Sequence, residues 1–177
     1  MAEKVYETCC QMLDQRNYYI IDQDGDKERI LAARENPLTK LEEQICVFIT
    51  KSSKFNVDSI QEYISMMKEM DIWNCIIVYQ LTATPVAKKI VQELKEMNIE
   101  LFTYEELQFN LTNHYLYSKH ELVLKGTPEF SLLKEKYIED LPTILKSDPV
   151  CRFFGFNRND FIKVTRQNGT VIYRIVK

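Results

Sequence analysis

The chain has 177 residues, of which 45% are hydrophobic, 28% charged and 11% aromatic, and its formal net charge is −3. This length and apolar fraction suffice for a packed core, in one domain or two small ones, and they exclude collagen-like, low-complexity and acidic disordered chains. The four glycines are far apart in the sequence. Both common phosphate-binding loops need clustered glycines, so no nucleotide site of those two kinds is expected.

The amino terminus lacks the apolar stretch of a signal peptide, and apolar runs such as 76–79 are too short to cross a membrane. We therefore expect a soluble, intracellular protein without membrane partners. The five cysteines form no C-x-x-C pair, which disfavours a disulfide framework or a structural zinc site. Cys46 and Cys75 lie in apolar runs, where a free thiol behaves as a small core residue.

Charge is distributed unevenly along the chain. Residues 1–108 carry 12 basic and 19 acidic side chains, a net charge of −7, whereas residues 109–177 carry 11 basic and 7 acidic side chains, a net charge of +4. The net charge changes from negative to positive near residue 108, where the pattern of hydrophobic residues also changes. The sequence therefore predicts two modules with a boundary near residue 108.

Hydrophobic periodicity predicts the elements of the first module. In chain order these are a helix over 3–15, an extended piece at 18–21, a turn at 22–26, a buried strand at 45–50, a helix over 57–67, a buried strand at 75–80, a helix over 86–97 and a strand at 99–103. From residue 45 onward, strands alternate with helices through short connections. This βαβαβ pattern predicts an α/β module with a mainly parallel sheet and right-handed crossovers.

The second module has a different pattern. It predicts a short helix near 130–137, another over 141–146, a turn at 148–149, and two alternating runs at 161–166 and 171–176. Asn168-Gly169 lies between the alternating runs, which is a strong signal for a β-hairpin. We therefore expect a small α+β module that ends in a hairpin.

Candidate enzymatic and metal sites are poorly supported by the residues. The acidic stretch 22–26 begins like a calcium loop, but Lys27 and Ala33 stand where such a loop needs glycine and glutamate. His114 and His120 have no local nucleophile signature beside them. They fit structural hydrogen bonding better than catalysis, and no catalytic residue, metal, cofactor or small-molecule substrate is predicted.

An α/β metal-dependent nuclease is the main alternative function. Such a site needs acidic side chains on adjacent strands to hold Mg²⁺ against a phosphate. The candidate strands 46–49 and 75–78 contain no acidic residue, which disfavours a nuclease. A protein-interaction adaptor is a third possibility.

The loop that leads into the helix at 86–97 is a candidate phosphate contact. It follows a predicted parallel strand, and the carboxyl edge of such a sheet and the start of a helix both favour phosphate oxygens. Thr84 supplies a hydroxyl group, and Lys88 and Lys89 supply charge. The same residues also fit an ordinary helix start, with Thr84 as the N-cap, Pro85 at the first turn and two surface lysines.

Spaced motifs fill the last third of the chain. They are Asn110-Leu-Thr-Asn-His114, Ser118-Lys-His-Glu-Leu122, Leu132–Tyr137, Leu141-Pro142, Asp148-Pro-Val150, Arg152-Phe-Phe-Gly155, Arg158, Ile162-Lys-Val-Thr-Arg166 and Tyr173-Arg-Ile-Val176. In this order they resemble the assembly domain of the common fifth subunit of eukaryotic nuclear RNA polymerases I, II and III, a domain with a counterpart in archaeal RNA polymerase. Ile77-Val-Tyr-Gln80, Thr84-Pro85 and Ala87-Lys88 are similar to motifs of the jaw domain of that family.

The resemblance implies a non-catalytic nuclear subunit shared by RNA polymerases. Residues 1–108 would be the jaw domain, forming part of the lower jaw beside downstream double-stranded DNA, with the loop at Thr84, Pro85, Lys88 and Lys89 near the DNA. Residues 109–177 would be the assembly domain, which docks on the largest subunit. Because the archaeal form lacks the jaw module, the resemblance implies a eukaryotic or eukaryotic-virus source.

Arginine side chains are the predicted docking contacts of the second module, because their planar forks pair bidentately with carboxylates. The predicted interface residues are Arg152, Arg158, Arg166, Tyr173, Arg174 and Ile175. The last strand, 171–175, is also expected to lie at a free sheet edge, where a partner strand could be added.

Overall fold

The computed structural model describes residues 2–137 and 140–177. The chain divides into two compact units, of which the first is Met1–Asn36 with Leu41–Phe109 and the second is Pro37–Lys40 with Asn110–Lys177. Within the described residues, no helix has both the length and the apolar character needed to cross a membrane.

The first unit is built from helices and strands that largely follow the predicted order. They are α1 (Ala2–Gln15), β1 (Tyr19–Gln23), β2 (Arg29–Glu35), β3 (Glu42–Ile49), β4 (Lys54–Phe55), α2 (Val57–Glu69), β5 (Asn74–Tyr79), β6 (Thr82–Ala83), α3 (Pro85–Glu93) and β7 (Asn98–Thr103). Helix α3 ends at Glu93, four residues before the predicted end at 97. Sequence reasoning assigned no strand to the segment that forms β2.

The central sheet has the strand order β1-β2-β3-β5-β7. The predicted strands β3, β5 and β7 pair in parallel, as expected from the βαβαβ pattern. The prediction of a mainly parallel sheet is nevertheless wrong, because β1 and β2 add two antiparallel pairings at one side. The sheet is therefore mixed, since a β1–β2 hairpin extends the βαβαβ unit.

Both faces of the central sheet are covered by helices. Cys46 and Cys75 are fully buried on the face that packs against α2 and α3, and burial raises the pKa of Cys46 to about 12. These thiols are core residues, as predicted. On the opposite face, Arg16 at the end of α1 forms a bidentate ion pair with Glu100 of β7, at 2.7 and 2.8 Å. Helix α1 therefore lies on this second face, where it buries Met12 and neighbouring apolar residues.

The second unit contains a smaller set of elements. They are β8 (Lys119–Leu122), α4 (Pro128–Leu132), a π-helical turn (Leu133–Tyr137), β9 (Thr143–Ile144), α5 (Pro149–Phe154), β10 (Phe161–Thr165) and β11 (Val171–Val176), preceded by a 3₁₀ turn (Leu111–Asn113). The prediction of a helix over 141–146 is wrong. Strand β9 forms there because its backbone pairs with β11, a non-local contact that periodicity does not register.

The hairpin of β10 and β11 is formed around Asn168-Gly169. The Gly169 N–H donates to the Arg166 carbonyl at 2.9 Å, and the Arg166 N–H donates to the Thr170 carbonyl at the same distance. Gly169 has φ = +81°, a conformation that glycine adopts without strain. This is a turn followed by a glycine bulge, a common three-residue hairpin connection.

Strand β11 is covered at its end, which corrects the predicted free edge at Ile175, while 171–174 keep an outer edge as predicted. The four-stranded sheet has the order β8-β10-β11-β9, so β9 covers the end of β11. The Ile175 N–H donates to the Pro142 carbonyl at 3.0 Å, and the Lys177 N–H donates to the Ile144 carbonyl at 2.9 Å. Only the beginning of β11 keeps an outer edge beyond the reach of β9.

The Arg16–Glu100 pair generates a stability prediction for the first unit. The Arg16 side chain is only 4% exposed, so replacement of the Glu100 carboxylate by a neutral amide removes the opposite charge of this pair. We expect Glu100→Gln to lower the free energy of unfolding by about 2 kcal/mol. Urea denaturation followed by the fluorescence of Trp73, the single tryptophan, would measure the change. The exposed Glu96 offers a control, since Glu96→Gln should leave the midpoint nearly unchanged.

Candidate nucleic-acid and subunit-docking surfaces

The carboxyl edge of the central sheet carries two helix starts side by side. Strands β3 and β5 end there, and α2 and α3 begin after the short strands β4 and β6. Strands β4 and β6 pair in parallel and form a short ribbon in which Lys54 is opposite Thr82. The Thr84 N–H donates to the Phe55 carbonyl at 3.0 Å, which extends the ribbon to the start of α3. The ribbon therefore fixes both helix starts with respect to each other.

Thr84 is the N-cap of α3. Its Oγ1 accepts a hydrogen bond from the Ala87 N–H at 3.2 Å, and Pro85 occupies the first turn. The interpretation of this loop as a capped helix start is thus confirmed. A hydroxyl that accepts in a cap can still donate its own proton outward. Lys88 is exposed, while Lys89 is 3.7 Å from Glu93, and both members of that pair are largely in solvent.

Lys54 belongs to the same edge, and sequence reasoning missed it. It is exposed, and the ribbon places it beside Thr82. The cap of the neighbouring helix α2 is Asn56, whose side chain accepts from the Ser59 N–H at 3.0 Å. Strand β4 has only two residues, so no period-2 pattern in the sequence could have located Lys54.

The predicted docking arginines do not form one cluster. Arg158 and Arg166 are exposed, but they flank opposite ends of β10, and a five-residue strand spans about 17 Å. Arg174 is half-buried, and its guanidinium donates to the Thr143 carbonyl at 3.3 Å. Arg152 is half-buried in the last turn of α5. Arg158 and Arg166 therefore offer the most accessible charge of this set.

The other two predicted contacts, Tyr173 and Ile175, are engaged within the second unit. The Tyr173 hydroxyl donates to Glu129 Oε1 at 2.5 Å, and Lys163 Nζ is 3.3 Å from the same oxygen. The hydrogen bond to this carboxylate raises the pKa of Tyr173 to about 12 and lowers that of Glu129. Ile175 is only 3% exposed and packs beside Leu133 and Phe161. Both side chains are therefore engaged within the second unit.

His114 and His120 make local hydrogen bonds. His120 Nδ1 is 2.6 Å from the Ser118 carbonyl, and partial burial of the ring lowers its pKa. His114 Nδ1 accepts from the Leu116 N–H at 3.2 Å. Among residues 2–137 and 140–177, no group of three or more His, Cys, Asp or Glu side chains is placed to hold a metal ion.

Comparison with known proteins gives consistent similarities. The family model described as "RNA polymerase Rpb5, C-terminal domain" matches residues 109–176. The chain is 33% identical to the "DNA-directed RNA polymerases I, II, and III subunit rpabc1" of Dictyostelium discoideum, over 97% of this chain and 95% of that protein. It is 31% identical to the "Putative DNA-directed RNA polymerase subunit 454R" of Invertebrate iridescent virus 6, over all of both chains. It is 29% identical to subunit RPABC1 of Caenorhabditis elegans, over 98% of this chain and 94% of that protein.

These similarities define the class of protein, a non-catalytic subunit of DNA-directed RNA polymerase. The chain belongs to the Rpb5 family of such subunits, because its similarity to a member above 30% identity extends over nearly the whole length of both chains. The family and the non-catalytic role predicted from the sequence motifs are confirmed.

The hydrogen bond between Tyr173 and Glu129 predicts a pH dependence of stability. The pKa of Tyr173 is about 12 in the folded chain and about 10 when the phenol is free. Its contribution to stability is therefore complete below pH 10 and is lost as the pH rises toward 12. The difference in alkaline absorbance titration between the wild type and Tyr173→Phe should show this late ionisation. Glu129→Gln should return the pKa of Tyr173 toward 10. A Tyr173 pKa near 10 in the wild type would contradict the hydrogen bond between Tyr173 and Glu129 as the cause of the late ionisation.

Proposed function

We propose that this chain is a nuclear subunit shared by RNA polymerases, whose second unit docks on the largest subunit and whose first unit forms part of the lower jaw beside downstream DNA. The observation that carries the proposal is similarity over nearly the full chain to a subunit named for polymerases I, II and III. Affinity purification of the tagged full chain tests it. Stoichiometric co-elution of the largest subunit is expected, and its absence would refute the docking role.

The carboxyl edge of the central sheet is the proposed DNA-facing surface. The two helix starts there direct backbone N–H groups and the positive ends of their dipoles outward, which favours phosphate oxygens. Lys54, Lys88 and Lys89 add exposed positive charge near those starts. Residues 1–108 carry a net charge of −7, so contact with DNA is confined to this edge and is weak outside the assembled enzyme.

Salt dependence measures how many phosphates this surface neutralises. Lys88→Ala with Lys89→Ala should leave assembly intact and reduce the slope of log affinity for downstream DNA against log salt by about 0.9 for each phosphate that is no longer neutralised. Lys54→Ala should act in the same direction. Lys68 is exposed in the last turn of α2, away from the helix start, so Lys68→Ala is the matched control. Unchanged slopes after replacement of all three edge lysines would show that the loop only caps its helix.

Docking of the second unit depends on its accessible arginines. Arginine pairs bidentately with carboxylates and remains effective when partly desolvated, which suits an interface with a large protein partner. Arg158 and Arg166 are both exposed at the ends of β10, and residues 109–177 carry a net charge of +4. We therefore assign them the main electrostatic contacts, with the half-buried Arg152 and Arg174 as secondary ones.

Charge reversal tests this assignment. Arg158→Glu with Arg166→Glu should reduce the amount of chain that co-purifies with polymerase by about tenfold or more, because favourable pairs become repulsive. Circular dichroism of the isolated variant should match the wild type, since both side chains are exposed. Lys125→Glu applies the same kind of change at another exposed position and should be tolerated. Recovery of the double variant at wild-type stoichiometry would place the docking surface elsewhere.

A further inference from the structure

Strand β1 lies at an edge of the central sheet. It pairs with β2 on one side, and among the described residues no strand pairs with its other side. All five of its residues are exposed, and three consecutive ones are large and hydrophobic: Tyr19 is 56%, Ile20 40% and Ile21 47% exposed. Natural proteins normally cover such an edge or place charge on it, because its free N–H and C=O groups can pair with another strand. The edge at β1 is therefore a candidate surface for strand addition.

The opposite edge of the sheet, β7, differs from β1 in its exposure. Ile99 and Leu101 are only partly exposed and pack against the core that α2 and α3 cover, and Phe102 is 3% exposed. Strand β7 therefore lacks the run of exposed hydrophobic residues that β1 carries.

A β-bulge interrupts β1 at Ile21. Ile20 and Asp22 are opposite consecutive residues of β2, which leaves Ile21 as the extra residue of the strand. The register places Tyr19 and Asp22 on one face of the sheet and Ile20 on the other, so hydrophobic residues are exposed on both faces of the edge. Because a bulge discourages indiscriminate pairing of edges, this edge suits one short partner strand.

Side-chain contacts hold the edge in place. The Tyr6 hydroxyl of α1 donates to the Gln23 side chain at the end of β1. The Tyr19 hydroxyl at its beginning donates to Glu42 Oε2 of β3 at 3.0 Å. Since β1 is ordered before it meets a partner, strand addition costs less conformational entropy.

The edge is negatively charged next to its hydrophobic run. Residues 19–29, which comprise β1, the following turn and the first residue of β2, carry four acidic and two basic side chains. The basic ones, Lys27 and Arg29, are both in ion pairs with carboxylates, at 2.8 and 3.0 Å. Asp24 and Asp26 of the turn are exposed and add negative charge beyond these pairs. Charge complementarity therefore favours a partner with basic side chains.

We propose that β1 is a docking strand for an extended segment of a partner protein, in which hydrophobic residues lie beside 19–21 and basic residues lie beside the acidic turn 22–26. The segment adds to the sheet as a further strand, with backbone hydrogen bonds to the free edge of β1. Its hydrophobic side chains pair with those of β1 across the strands. This contact goes beyond the proposed function and is separate from the proposed DNA-facing surface.

A second copy of this chain is a poorer occupant of the edge. Pairing of β1 with itself would bring two first units together, and residues 1–108 carry a net charge of −7 in each copy. Units of like net charge repel, which favours the monomer. The same negative charge disfavours DNA at this edge.

Calorimetric titration of the full chain with synthetic peptides tests the proposal. The probe is an eight-residue peptide in which two valines alternate with two threonines between pairs of lysines. We expect it to bind about tenfold more tightly than the same peptide with glutamates in place of the lysines, because the acidic turn selects positive charge. It should also bind about tenfold more tightly than a version with N-methylated valines, because N-methylation removes backbone donors that strand addition needs.

Variants of the chain locate the contact. Ile20→Ser with Ile21→Ser should weaken binding of the lysine peptide about tenfold, since it removes hydrophobic cross-strand contacts and leaves the net charge unchanged. The matched control is Leu116→Ser with Leu145→Ser, which should bind as the wild type, because these leucines are 66% and 63% exposed on the second unit. In the wild type, the peptide should slow amide hydrogen exchange in 19–23 and leave exchange in 98–103 unchanged.

The remaining outcomes overturn the proposal. Equal affinity for the N-methylated peptide would show electrostatic adhesion without strand addition. Equal affinity of the Ile20→Ser, Ile21→Ser variant, or exchange protection outside β1, would place the contact elsewhere. A wild-type dimer that this variant turns into a monomer would make β1 a self-interface. Should the variant unfold, hydrogen exchange in the wild type decides alone. None of these results depends on co-purification with polymerase, so failure here leaves the proposed function standing.

Discussion

Strands β3 and β5 pair in parallel with apolar residues buried on both of their faces, and the rest of the first unit is arranged around that pairing. Parallel neighbours cannot be joined by a tight turn, so the chain must cross the sheet between them, here through α2. A second crossover through α3 leads to β7. Each crossover helix starts at the carboxyl edge, which is why two helix starts lie side by side where the proposed DNA contact is made.

The buried central strands could be predicted because their burial on both faces of the sheet is reflected in continuous apolar sequence. Val, Ile and Cys in continuous runs are typical of strands covered on both faces. Strands β8 and β9 were missed because each pairs with residues that are distant in sequence, and β9 has only two residues, too few to show a period. Strand β2 was missed for another reason. It pairs with β1 and β3, its neighbours in the chain, but Ala32 and Ala33 are both buried, so its segment lacks the period-2 alternation of a half-buried strand.

Residues of the candidate surfaces could be predicted where the signal is local in sequence and not where it depends on the fold. The helix cap at Thr84 and Pro85 is local chemistry, so its residues identify it without knowledge of the fold. Alternation in β11 correctly separated two faces, but it could not show that Ile175 is covered by a helix and turn of the same unit or that Tyr173 bonds Glu129. The extended piece at 18–21 was predicted, but its sequence could not show that β1 lies at an edge of the sheet with Ile20 and Ile21 exposed.

The ribbon of β4 and β6 has a consequence for how the length of related chains can vary. Phe55 and Thr84 are joined backbone to backbone at 3.0 Å, immediately before the starts of α2 and α3. A residue inserted between β6 and α3 would slide one helix start past the other and break that bond. Insertions in the preceding exposed segment 51–53 would instead bulge into solvent at little entropic cost. Length differences among relatives should therefore collect upstream of Lys54, while the spacing from Thr82 to Pro85 stays constant.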